Sequence, residues 1–137
     1  MSFVLDSSTS LAWCFEDERT DATDALLERV VDSGAVAPSL WPLEVLNALA
    51  TAERRGRIDA ELRQRVAGFL RDLPVAIDAE TASQVWAVTS QLAARHRLTL
   101  YDAAYLELAL RLGLPLATLD QELRGAGAAL GVTLLGL

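Results

Sequence analysis

The chain has 137 residues, 52% hydrophobic and 23% charged, which supplies core enough for one globular domain over 1–137 and excludes a disordered chain. A net charge of −7 and a pI near 4.6 argue against a simple nucleic-acid coat, because nonspecific phosphate binding needs a basic surface. One cysteine, Cys14, excludes an internal disulfide framework, and with no membrane-length apolar run and Asp6 interrupting any signal-peptide core, a cytoplasmic protein without membrane attachment is expected.

Phe3-Val4-Leu5 has the character of a buried parallel strand and runs straight into Asp6, Ser7 and Ser8. Ligands of open α/β sheets collect beyond the carboxyl ends of strands, so Asp6 is a site candidate; a helix N-cap is the competing role. Thr9 to about Glu18, with Leu11, Ala12, Trp13 and Phe15, predicts a short helix on the sheet. Asp21–Asp32 predicts a clearer one, from Ala22, Leu26 and Val30 at helical spacing with Gly34 as its stop. Ala35-Val36-Ala37 is then a second strand, closed by Pro38.

Pro42 opens a helix to Arg55 and puts Glu44 in its first turn, where a carboxylate also complements the helix dipole. Gly56 ends it, and Asp59 caps a following helix through Leu62, Val66, Phe69 and Leu70, which predicts a helical hairpin. Arg54, Arg55, Arg57, Arg63 and Arg65 gather at its tip. They read as solvated arginines, with RNA contact by Arg54, Arg55 and Arg57 as the functional alternative.

Val75-Ala76-Ile77 is the third strand, and Asp78 leads into a helix with Ala82, Val85, Trp86, Thr89, Leu92 and Ala93 expected on one face. His96, the only histidine, reads as a helix-end residue and not as a base. Thr99 and Asp102 have capping-box spacing at the start of a helix that is apolar nearly all round to Leu112. Glu107 and Arg111, four apart, are expected to pair at its one wet face. Gly113 and Pro115 stop it, Leu116–Leu119 predicts a fourth strand ending at Asp120, Gln121 to about Leu130 a last helix, and Val132–Leu135 a final strand. Strands and helices alternate from end to end without repeat or linker, the signature of an α/β layer sandwich with a parallel or mostly parallel sheet. Of Trp13, Trp41 and Trp86, at least two are expected in the core.

Four acids share one kind of position. Asp6 and Asp120 end apolar strands, while Glu44 and Asp102 sit in the first turns of largely apolar helices. If the strands are parallel, those ends lie on one side of the sheet and the four carboxylates converge. Two like charges about 4 Å apart repel by roughly 4 kcal/mol at an effective dielectric near 20, so such a cluster protonates, spreads out or binds cations. Oxygen-only ligands suit Mg2+ or Mn2+ better than zinc, and a carboxylate-held Mg2+ at an open cleft most often handles phosphate esters.

The stretches Phe3–Ser8, Pro42–Leu49, Leu98–Leu106 and Leu114–Asp120 together resemble the PIN-domain nucleases, and more narrowly the VapC-type toxins of bacterial toxin–antitoxin pairs. The resemblance spans nearly the whole chain, with four motifs in family order. It implies a three-layer α/β sandwich with helices on both faces of a mostly parallel sheet in the order 3-2-1-4-5. It implies that Asp6, Glu44, Asp102 and Asp120 are the catalytic acids and hold one or two Mg2+ or Mn2+ ions, with Ser8 and Thr118 as supporting hydroxyls. The activity implied is endonucleolytic hydrolysis of RNA, by a homodimer blocked by a small cognate antitoxin protein. This chain is more acidic than an RNA-cleaving enzyme is expected to be.

A regulatory binding module with little turnover, tied to a partner and through it to DNA, is the alternative from another class. Partner-free cleavage of RNA with and without a chelator separates the two. A phospho-acceptor domain using Asp6 fits poorly, because the 12 basic residues are all arginine and the usual lysine of such domains is missing.

Overall fold

The structure, a computed structural model, describes residues 2–137. Five short strands, β1 (Val4–Leu5), β2 (Ala35–Ala37), β3 (Val75–Ile77), β4 (Leu116–Ala117) and β5 (Leu134–Leu135), form one sheet in the order β3-β2-β1-β4-β5. Every pairing is parallel, with Val4 opposite Val36 on one side and Leu116 on the other. The expected strand order is therefore found. Both residues of β1 and both of β4 are fully buried, as in parallel strands covered on two faces. The strands are shorter than their apolar runs: Phe3, Thr118–Leu119 and Val132–Thr133 lie just outside the ladders.

The helices are α1 (Ser7–Ala12), α2 (Asp21–Ser33), α3 (Trp41–Arg54), α4 (Ala60–Asp72), α5 (Thr81–Gln84), α6 (Ser90–His96), α7 (Leu100–Leu112) and α8 (Gln121–Ala129). Their limits follow from local chemistry. Thr20 and Thr23 make a reciprocal capping box for α2, Asp59 accepts from the Leu62 amide at α4, and Thr99 accepts from the Asp102 amide at α7. Gly34 stops α2 at φ 77°, and a Cβ there would stand 3.0 Å from the Pro74 carbonyl oxygen, so glycine is required on both counts.

Three expectations are corrected. The first helix is not continuous to Glu18: α1 ends at Ala12, and Glu16–Glu18 is a separate 3-10 turn. The helix after Asp78 is broken by a π turn, Val85–Thr89, which changes the register of its faces. Thr81, Thr89 and Leu92 face the core, whereas Ala82 is exposed and Trp86 is 91% exposed. Trp13 and Trp41 do enter the core. Lastly, the Glu107–Arg111 pair is not at a wet face. Glu107 is buried, and Arg111 reaches beyond it to Asp78 and Glu80, joining α7 to the start of α5.

The centre of the molecule is α7. Residues 103–109 are all buried, against β1, β4, α6 and α8. Its N-terminus opens at the carboxyl edge of the sheet, which fixes where Asp102 and Tyr105 emerge.

Candidate active site

The order β3-β2-β1-β4-β5 reverses between β1 and β4, and loops leaving these two strands frame a crevice at their carboxyl ends. Register decides what meets there. Val4 pairs with Leu116 and Leu5 with Ala117, and the Asp6 amide donates to the Ala117 carbonyl at 3.0 Å, so Asp6 arrives level with Thr118. Asp120 follows two residues later as the N-cap of α8.

Asp6 is the floor of the crevice, 3% exposed. It stands at the N-cap position of α1 but makes no side-chain cap hydrogen bond there. Its Oδ2 instead accepts from the Ser8 hydroxyl at 2.6 Å and the Thr118 hydroxyl at 2.7 Å. The network continues outward: Ser8 Oγ accepts from the Leu119 amide at 2.9 Å, and Thr118 Oγ1 from the Asp120 amide at 3.1 Å. The strand-end loops are thus stitched together through one carboxylate. Burial pushes the Asp6 carboxyl above its ordinary range, opposed by the Ser8 and Thr118 hydroxyls and the nearby amides of Ser8 and Ser7.

Glu44, Asp102 and Asp120 are half-buried around this floor. Asp102 is pushed up to about 6 by burial first, then by the negative charges of Asp120, Asp6 and Glu44. Glu44 is raised by burial, with the Asp6 charge adding to it and hydrogen bonds from Tyr105 and Ser7 opposing it. Asp102 thus feels the charge of the other three acids, and Glu44 that of Asp6. Helix capping accounts only for Asp120, whose Oδ1 accepts from the Leu123 amide at 2.9 Å. None of the ion pairs formed among the described residues includes any of the four.

A negative pocket without a basic partner fits a hard divalent cation. Among the described residues no three His, Cys, Asp or Glu side chains close on a single point tightly enough to hold a metal ion. A closed zinc-like site is not what these residues build.

Three supports carried no clear sequence signal. Tyr105 Oη donates to Glu44 Oε1 at 2.6 Å from a fully buried position. The Trp41 indole donates to Ser10 Oγ at 2.9 Å, and Ser10 donates to the Asp6 carbonyl at 3.2 Å, which anchors the start of α3 beside α1. Arg124 ties the Thr118 and Leu135 carbonyls together at 2.7 and 2.9 Å, holding the end of β4 to β5. Only Tyr105 left a trace, as a hydroxyl in an otherwise apolar helix face three residues after Asp102.

The arginine cluster lies elsewhere. Arg54 is ten residues beyond Glu44, about 15 Å along α3. Arg57 pairs with Asp17 at 2.7 Å and Glu18 at 2.9 Å and stacks over the Phe15 ring at 3.9 Å, while Arg54 donates to Thr51, Arg63 pairs with Glu53 and Arg65 with Glu61. Arg54, Arg57, Arg63 and Arg65 thus interact with groups of the hairpin and its neighbours. His96 is the last residue of α6, a helix-end residue as expected.

The PIN domain matches residues 3–128 of the chain. Ribonuclease VapC3 of Pyrobaculum aerophilum is 28% identical over 123 residues, covering 90% of this chain and 92% of that protein. Two solved structures share the fold. VapBC2 of Rickettsia felis, bound to a DNA fragment from its promoter, superposes with a TM-score of 0.68 at 12% identity over 99% of this chain and 98% of that one. The sarcin–ricin loop cleaving toxin VapC20 of Mycobacterium tuberculosis does so with a TM-score of 0.59 at 17% identity, over 91% of this chain and 95% of that one.

Proposed function

We propose, from the premise that this chain belongs to the PIN-domain family, that it is a divalent-metal-dependent endoribonuclease acting as the toxin of a toxin–antitoxin pair. The support for the proposal is that Asp102 feels the charges of Asp120, Asp6 and Glu44, while none of the ion pairs among the described residues neutralises any of the four. A Mg2+ or Mn2+ ion bound there would supply Lewis-acid stabilisation of phosphate oxygens and lower the pKa of a bound water.

The residues divide the work by depth. Asp6, on the buried floor, is the fixed ligand, with Ser8 and Thr118 locking its Oδ2 so that Oδ1 faces the pocket. Asp102 and Asp120, on the helix starts of α7 and α8, would be further ligands. Glu44, from α3, would bind the ion directly or through water and could accept a proton from water. A bound cation would supply positive charge for the scissile phosphate, which bears on the net charge of −7.

Among the arginines named for RNA, Arg57 is neutralised by Asp17 and Glu18, and Arg54 is bound to Thr51, so Arg55 is the one left to meet a phosphate. A small antitoxin protein is the expected regulator, in line with the VapBC2 complex among the structural neighbours. The working form is a cytoplasmic homodimer; among the described residues no helix is long and apolar enough to cross a membrane.

The test is cleavage of a mixed cellular RNA pool by partner-free protein with Mg2+, with Mn2+ and with a chelator. Cleavage that needs the metal and disappears in the Asp6→Asn variant supports the enzyme. Tight partner and DNA binding without metal-dependent cleavage supports the binding module instead.

A further inference from the structure

We infer that Tyr105 is the positioning residue for Glu44, holding one carboxylate oxygen so that the other alone is presented to the pocket. The inference rests on the proposed metal-dependent function and extends it to a residue outside the acidic quartet.

Glu44 needs an anchor more than the other three acids do. Asp6 is gripped by two hydroxyls, Asp120 by the amide of Leu123, and Asp102 stands on the buried helix α7. Glu44 has a longer arm, sits between exposed Leu43 and buried Val45, and feels the Asp6 charge. Repulsion and solvation both favour turning it outward to water. What opposes this most is the 2.6 Å bond from Tyr105 Oη to Glu44 Oε1, across 61 positions of sequence, with Ser7 assisting.

Tyr105 suits that task, and its hydroxyl also meets Ser7. Its ring is fully buried in the α7 core, so the phenol cannot swing away. Phenylalanine would fill the same apolar space, which leaves the hydroxyl to be explained by what it touches. It stands three residues after Asp102 on the same helix, so α7 both contributes one acid and fixes another. A short donor to an ionised acceptor is strong and directional, and with Oε1 occupied only Oε2 faces the ion or its water.

The test is a double-mutant cycle read by Mn2+ titration calorimetry on partner-free protein, with RNA kcat and KM measured in parallel. Tyr105→Phe is expected to weaken Mn2+ binding about 10-fold and to lower kcat similarly while RNA KM stays within twofold. Combined with Glu44→Gln, it should add nothing to the loss of Glu44→Gln alone. Glu44→Asp, which keeps the charge and the Tyr105 packing but shortens the arm, should match Tyr105→Phe and serves if that variant does not fold. Wild-type Mn2+ affinity in Tyr105→Phe, or losses that multiply in the double variant, overturns the inference while leaving the enzyme standing. A wild-type protein that neither binds Mn2+ nor cleaves RNA overturns both.

Discussion

Thr118 donates a 2.7 Å hydrogen bond to Asp6 across 112 positions of sequence, and the same hydroxyl accepts from the Asp120 amide. One side chain thereby sets the distance between the ends of β1 and β4. Without it, a buried carboxylate loses a donor and a backbone amide loses its acceptor. Thr118→Val is expected to cost about 1–3 kcal/mol by denaturant unfolding. Metal-dependent cleavage should fall by about 10- to 100-fold with RNA binding retained. Thr118→Ser should keep most of both. Unchanged cleavage in Thr118→Val would show that Asp6 needs no such support.

Asp102 gives a pH signature in the metal-free protein. Its folded pKa, about 6, lies above the ordinary 3.8 because burial and the neighbouring acids oppose its charge. The folded state therefore binds more protons than the unfolded state between these values, and stability falls as pH rises through that window. Asp102→Asn removes the burden. After discounting for its half-exposed position, it should raise the melting temperature by about 2–4 °C at pH 8 and by nothing measurable at pH 3.5. Thermal melts at the two pH values check this; a variant less stable than wild type at pH 8 would contradict the convergence of charges.

Arg111 gives the control away from the pocket. It bridges Asp78 at 2.6 Å and buried Glu107 at 2.6 Å, with exposed Glu80 at 3.2 Å. Arg111→Met strands Glu107 in the interior and should cost about 3–5 kcal/mol. Glu80→Gln, at the solvent side, should cost less than about 1 kcal/mol. Denaturant unfolding distinguishes them, and Mn2+ affinity should be unchanged in Glu80→Gln.

The sheet order was legible because hydrophobic period and strand ends are local properties of sequence, and the candidate acids stand out because each ends an apolar strand or opens a largely apolar helix. Most of what the sequence does not show depends on partners far away in the chain, and one helix on a local break in register. Glu107 looked like a solvent-facing acid because its i+4 arginine gives it a local mate, yet Asp78 lies 33 positions from Arg111 and closes the cluster in the interior. Trp86 fell on the wrong side because a π turn shifts the register midway, and no residue in Val85–Thr89 announces it. Helix capping was a fair rival for Asp6 until the hydroxyl of Thr118 was seen to take the carboxylate instead. Tyr105 needed the same kind of knowledge, that Glu44 on α3 comes within hydrogen-bond reach of α7.

Titration of Mn2+ into partner-free protein, wild type against Asp6→Asn, tests the central claim most directly. If the four carboxylates jointly hold a divalent ion, wild type binds it, melts at a higher temperature when saturated, and loses both properties in Asp6→Asn without losing its fold. Equal binding by the two proteins, or none by the wild type, would contradict it.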